Sequence, residues 1–150
     1  PENNPAVRET RAKFLAADSS LQSQFDDAYG FAIYPKVGKA AIGIGGAGGD
    51  GLVYEQGRLI GTSRLSQATI GLQLGGEKYS EVIFFRDAGV LAQFKKGKWR
   101  ASAQASAVIA KDGSGKKSSY RGGVKIFITG VEGAMAEASV GGQRFTFVPN

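Results

Sequence analysis

The sequence predicts an α+β domain that is predominantly β, a curved antiparallel sheet or barrel of short Gly-rich strands packed with N-terminal helices and one short internal helix. Three observations predict it. Apolar residues recur with helical spacing near the N-terminus and again near residue 90, whereas elsewhere they alternate with a period of two. Glycine supplies 23 of the 150 residues, about twice its usual share of ~7%, and it falls in clusters between the alternating stretches. The length is that of one ordinary domain, here a helical segment over 1–27 followed by a β-rich core over 28–150.

The elements follow in order. Asn4 suits an N-cap and Pro5 the first helical position, and Val7, Phe14 and Leu15 at i, i+7 and i+8 predict a helix over about 5–17. Asp18 or Ser19 can cap a second short helix that carries Leu21 and Phe25 and ends near Gly30, before an extended stretch from Phe31 to Tyr34. Alternation at Ala40, Ile42 and Ile44, at Ile70, Leu72 and Leu74, and at Val124, Ile126 and Ile128 predicts half-buried strands. Between them, Gly48-Gly49-Asp50-Gly51, Gln56-Gly57, Gly75-Gly76, Asp112-Gly113, Gly122-Gly123 and Gly141-Gly142 read as turns, several of them hairpins. Asp87 caps a short internal helix burying Val90, Leu91 and Phe94.

Two further strands place small residues on one face. Ala101, Ala103, Ala105 and Ala107 oppose Ser102, Gln104 and Ser106, and Ala134, Ala136, Ala138 and Val140 oppose Met135, Glu137 and Ser139. Small side chains allow close approach, so a helix is expected to lie tight against these faces and the Gly face of 41–45. Residues 74–80 and 140–146 echo each other as strand, Gly-Gly turn and basic-aromatic strand start, which predicts two similar hairpins.

The missing residue types exclude whole mechanisms. With no Cys and no His, neither a Ser-His-Asp or Cys-His nucleophile nor a zinc site of the usual ligands can be assembled, and disulfides are impossible. Gly43-Ile44-Gly45-Gly46-Ala47-Gly48 matches G-x-G-x-x-G but precedes strand-like residues, so no helix dipole is aimed at a pyrophosphate. Lys111-Asp112-Gly113-Ser114-Gly115-Lys116-Lys117-Ser118 imitates a phosphate loop without its first Gly or its hydroxyl after Gly-Lys, and reads as a flexible basic loop with no helix after it. The carboxylate pairs Asp26 with Asp27 and Glu132 with Glu137 read as solvated charges. A non-enzymatic protein with no cofactor and no metal is expected.

Charge supplies the candidate site. Residues 95–125 hold Lys95, Lys96, Lys98, Arg100, Lys111, Lys116, Lys117, Arg121 and Lys125 against Asp112 alone, a net of +8, which leaves −2 for the rest of a chain whose total is +6. On a strand over 98–107, Lys98 and Arg100 would share a face with Ser102 and Gln104, opposite Trp99 and the Ala series. Each base near an anionic membrane contributes ~1 kcal/mol, so four together give about a thousandfold in affinity. The alternative is a solvated face that only keeps the protein soluble. Specific nucleic-acid binding is not expected, because aromatics such as Phe84, Phe85, Phe127 and Phe147 sit within apolar strands rather than on a stacking platform. No apolar run reaches the ~18 residues of a membrane-spanning helix, so no bilayer crossing is expected.

In order along the chain, residues 28–39, the Gly-rich run to Gly51, Gly61-Thr62-Ser63, Gln73-Leu74-Gly75-Gly76, residues 79–85, residues 103–107 and residues 137–142 resemble the SYLF domain. The resemblance extends over about 28–148. It implies a lipid-binding domain, since eukaryotic members bind phosphoinositides and related acidic phospholipids and some yeast members also bind actin filaments. Bacterial members are usually single-domain secreted proteins or lipoproteins, and this chain is similar to them in lacking SH3 or FYVE partner domains. That implies a location in the bacterial cell envelope, periplasmic or lipoprotein-anchored, with any signal segment outside this sequence. An amphipathic N-terminal helix contributes to membrane contact in eukaryotic members, and the stretch with Arg8, Arg11 and Lys13 stands at that place.

The expected function is therefore binding of an anionic phospholipid membrane surface. The alternatives are an envelope structural domain with a protein partner and an apolar ligand held inside the barrel, the latter requiring a ligand-sized apolar cavity.

Overall fold

The computed structural model describes residues 4–38, 47–67, 78–131 and 136–150. Its elements run α1 (Pro5–Ala17), α2 (Leu21–Asp27), β1 (Gly30–Gly38), β2 (Ala47–Glu55), β3 (Arg58–Gln67), β4 (Lys78–Phe85), α3 (Ala88–Lys95), β5 (Ser106–Ile109), α4 (Ser114–Lys117), β6 (Val124–Thr129), β7 (Glu137–Ser139) and β8 (Arg144–Pro149). The strands form one sheet in the order β7-β5-β6-β4-β1-β2-β3-β8. The domain is α+β and rich in strand, and its sheet is open rather than closed into a barrel.

Connectivity nevertheless forces the sheet to curl. Its two edge strands, β7 and β8, are separated in sequence only by residues 140–143. Laid flat, eight strands would hold those edges ~34 Å apart. The five peptide steps from Ser139 to Arg144 span at most ~18 Å. The turn at Gly141-Gly142 is thus no hairpin, since β7 and β8 do not pair with each other but lie at opposite edges. Further departures from the expected all-antiparallel hairpins occur at β5 and β6, which pair in parallel, so Asp112-Gly113 opens a crossover.

Strand periodicity explains why both faces of the sheet are apolar. On β4, Val82 and Phe84 pack outward with Phe31, Ile33, Tyr54 and Phe127, where Val7 and Phe14 of α1 and Leu21 and Phe25 of α2 cover them. Ile83 and Phe85 face inward with Val53, Leu65, Ile126, Ile128 and Phe145, and Leu91 and Phe94 of α3 close over that side. Among the described residues the helices therefore pack on large apolar side chains rather than on the Ala faces, because rings bury more area per contact than Cβ atoms do, while the Gly face of 41–45 lies outside the described residues. Inside, Phe94 meets Phe85 at 4.9 Å and Phe145 at 5.5 Å between ring centroids. Rings thus fill this part of the interior, where an apolar ligand would otherwise sit.

Local signals account for the element ends. Asn4 Oδ1 accepts from Val7 N at 3.1 Å, and Asp87 Oδ1 accepts from Val90 N at 3.0 Å, so both expected caps form. Ahead of α2, Ser20 makes no side-chain capping bond, whereas Asp18, one of the two expected caps, has extended backbone and its Oδ1 accepts from Ser20 N at 3.0 Å while the same carboxylate also reaches a distant loop. Gln56 and Gly57 both have positive φ, +48° and +83°, the primed turn that matches the twist of the β2–β3 hairpin. Gly48-Gly49-Asp50-Gly51 is no turn. It runs within β2, where a Cβ on Gly49 would strike the Lys36 carbonyl and one on Gly51 the Tyr34 ring.

The expected strand over 98–107 forms only from Ser106 onward. Upstream, Ala105 N donates to Ser102 O at 3.0 Å in a turn, leaving Ala101 buried and Ala103 exposed. Alanine has weak strand preference, and this segment binds the 140–143 turn in place of a ladder. In the partner segment the alternation holds at Ala138 and Val140, both buried against exposed Glu137 and Ser139. The strands expected at 40–44 and 70–74, the Gly75-Gly76 turn, the first copy of the echo up to residue 77, Ala134 and Glu132 lie outside the described residues.

Candidate functional site

The parallel crossover from β5 to β6 builds the candidate site. It carries the chain from Ile109 through α4 and back to Val124, so residues 117–122 come to lie beside 99–106 with β6 as the floor. The result is a surface cleft of about 460 Å³. Arg100, Lys117, Arg121 and Lys125 line it together with Ser102, Ser106, Ser118 and Ser119, while Trp99, Val108, Val124 and Phe127 supply apolar wall. Charge-assisted donors and hydroxyls against an apolar wall suit an anionic group with an attached carbon skeleton.

Only part of the +8 segment converges there. Lys95, Lys96, Lys98, Lys111 and Lys116 are exposed and do not line the cleft. The expected row of Lys98 and Arg100 on one strand face is replaced by irregular chain at 98–105, which brings Arg100 into the cleft without Lys98. Lys125 is held in place, donating to Gln24 Oε1 at 3.0 Å with its ammonium 4.5 Å from the centre of the Tyr120 ring. Partial burial lowers its pKa, the expected effect of removing an ammonium from water.

The basic residues of α1 are elsewhere. Arg8 and Lys13 are exposed, and Arg11 lies over the Phe25 ring at 4.7 Å and 3.9 Å from Asp26. None of the three lines the cleft. Asp26 is exposed and accepts from Gln22 Nε2 at 3.0 Å, consistent with a solvated charge.

The imitation phosphate loop departs from the expected flexible loop with no helix after it. A short helix, Ser114–Lys117, does follow Gly113. Its donors are already taken by Asp18, which is 1% exposed. Gly113 N and Ser20 N donate to Oδ1 at 3.0 Å, Ser20 Oγ to Oδ1 at 2.7 Å, Ser114 Oγ to Oδ2 at 2.7 Å and Gly115 N to Oδ2 at 2.6 Å. Burial alone would raise this carboxyl, but the hydrogen bonds outweigh it and hold the pKa below its ordinary value. Asp18 thereby fixes the loop that carries Lys117 to the cleft.

Sequence reasoning placed Ser102 beside Arg100 but missed Ser106, Ser118 and Ser119 as cleft residues, and it read Glu137 only as a solvated charge, whereas this residue also lines the cleft and accepts from Ser106 Oγ at 3.3 Å. No linear signal marks them, because only the crossover brings 102–106, 118–119 and 137 together. A second depression, about 500 Å³, lies between the start of α1 and β2, β3 and β8. Arg64 there is paired with Asp50 at 2.8 Å, so its charge is locally balanced.

No known family model matches the chain. Among curated proteins it is similar to Beta cell expansion factor A of Aeromonas veronii, 26% identical over 129 residues, which cover 84% of this chain and 48% of that protein. The chain spans about half the length of this relative.

Proposed function

We propose that this chain is a SYLF-type, non-enzymatic domain that binds acidic phospholipid headgroups, with the cleft of Arg100, Lys117, Arg121 and Lys125 as its site. The convergence of these four cations on one cleft carries the proposal. Phosphate oxygens accept hydrogen bonds from guanidinium, ammonium and hydroxyl groups together, and the cleft offers all three. At ~1 kcal/mol for each base near an anionic surface, the four supply about 4 kcal/mol, enough for reversible peripheral attachment. The exposed lysines outside the cleft add long-range attraction that salt screens. Envelope location accompanies this reading, and among the described residues no helix is long and apolar enough to cross a membrane.

Replacing Arg100, Lys117 and Arg121 by Gln tests the site while leaving Lys125, which is tied to α2, intact. The triple variant is expected to lose about a hundredfold in affinity for vesicles of anionic phospholipid. Replacing Lys95, Lys96 and Lys98 instead should cost less. Equal losses from the two sets would move the site out of the cleft.

A further inference from the structure

The inner face of the sheet carries a buried polar cluster that headgroup binding does not use. Glu81 on β4 is 0% exposed, and its Oε1 accepts from Gln143 Nε2 at 2.9 Å. The same amide nitrogen donates to Gln67 Oε1 at 3.2 Å, which consumes both of its hydrogens. Glu81 Oε2, Gln143 Oε1 and the Tyr79 hydroxyl are buried with no hydrogen-bond partner. Such groups are costly unless their charge is suppressed.

Among the described residues, the elements around Glu81 contribute no counter-charge. From β1, Tyr34 stands opposite Glu81 and shares a hydrogen bond with Ser63 of β3 at 2.8 Å. From β6 comes Ile128, from β3 Gln67 and from β4 Tyr79. Burial raises the pKa of both tyrosines, so they are neutral across the physiological range. Among the described residues Glu81 forms no ion pair with Lys or Arg. Burial pushes its own pKa up to about 8, only partly offset by Gln143, so the carboxyl holds its proton at neutral pH.

Gln143 also ties this cluster to the cleft. Its backbone oxygen accepts from Ala101 N at 3.1 Å, and Gly142 N donates to Ala101 O at 3.1 Å. Ala101 lines the cleft beside Arg100. We propose that Glu81 is a buried proton latch that holds Gln143 and, through its backbone, the 99–105 arm of the cleft. When the proton leaves to solvent, the carboxylate draws water into the seam between β7 and β8 and the arm loosens. The latch stands on the buried cluster alone, while its effect on ligand rests on the headgroup reading above.

Trp99, the one tryptophan of the chain, reports on that arm, with its ring 5.5 Å from Phe145 and 6.5 Å from Phe94. Lipid-free protein titrated from about pH 6 to about 9.5 should show a red shift of Trp99 emission centred near the Glu81 value of about 8. Glu81→Gln keeps the shape of the protonated side chain and should show none. In the wild type alone, the infrared carbonyl band of a protonated carboxyl should disappear in step with that shift. A flat emission profile, a shift that survives in folded Glu81→Gln, or a shift without loss of the band overturns the latch.

Vesicles of anionic phospholipid then separate the two readings. Wild-type affinity should fall across the transition, by up to about tenfold per pH unit for one linked proton, relative to Glu81→Gln. A Trp99 shift lost in Glu81→Gln, with no vesicle binding at any pH, supports the latch and overturns the headgroup reading. Vesicle binding with no Trp99 shift does the reverse.

Discussion

The carboxylate of Asp18, at the junction of α1 and α2, accepts a hydrogen bond from the backbone N–H of Gly115 at 2.6 Å, across 97 positions of sequence. With the donors of Ser20, Gly113 and Ser114 it joins the helical segment to the loop behind the cleft. Asp18→Asn places an amide NH₂ among those donors and leaves buried N–H groups unsatisfied. A loss of about 2–3 kcal/mol is expected, read as a lower urea midpoint with unchanged slope. Because the folded pKa is depressed, this contribution is present above the ordinary aspartate value and is lost as pH falls through the folded one. The wild-type advantage over Asp18→Asn should therefore shrink in strong acid.

Glu81 has the opposite sign. Its folded pKa, about 8, exceeds the ordinary 4.5, so the folded state binds the extra proton and stability falls as pH rises between those values. The slope approaches about 1.4 kcal/mol per pH unit in that window. Glu81→Gln, which cannot titrate, should flatten the curve of unfolding free energy against pH. Parallel curves for the two proteins would contradict a titrating buried carboxyl.

Two glycines should respond oppositely to alanine. At Gly49 the new Cβ meets the Lys36 carbonyl, a backbone group that cannot step aside without disturbing the β1–β2 ladder. Gly49→Ala should cost about 1–3 kcal/mol or more. At Gly89, in the first turn of α3, a Cβ meets only Asp87 Oδ1 at 3.4 Å. Gly89→Ala should add about 0.5–1 kcal/mol through helix propensity. Thermal unfolding of both variants checks the pair.

Among the described residues Glu137 is the one carboxylate lining the cleft. Removing its repulsion by Glu137→Gln should tighten binding to anionic vesicles by roughly two- to fivefold at low salt, with the gain fading as salt rises. An unchanged or weaker affinity would place the bound headgroup elsewhere.

Much of the fold was legible because its causes are local. Asn4 with Pro5 and Asp87 with Val90 announce helix starts within four residues, and the alternation at Val124 to Ile128 announces a strand, although burial of Phe127 on its second face makes it more than half-buried. What escaped depends on distant partners. Gly48-Gly49-Asp50-Gly51 has the composition of a turn but is strand, since it is the neighbouring β1 backbone that excludes side chains there. The Ala series at 101–105 has strand alternation but no ladder, since Ala101 N donates to Gln143 O, the Ala101 and Ala105 carbonyls accept from Gly142 and Val140, and Ala105 N turns back to Ser102 O. Likewise the concentration of bases was visible in sequence, whereas the selection of Arg100, Lys117, Arg121 and Lys125 from it required the crossover. Glu81, within an apolar run, gave no sign that its inward neighbours would be amides and phenols rather than a cation.

The central claim is that the basic cleft engages an anionic membrane surface, and titration of the protein with vesicles of anionic or neutral phospholipid at low and high salt tests it most directly. Binding should be confined to the anionic vesicles and should fall at least about tenfold as the Debye length shrinks from ~10 Å at 0.1 M salt to ~3 Å at 1 M. Equal weak binding to both vesicles, or affinity indifferent to salt, would contradict it.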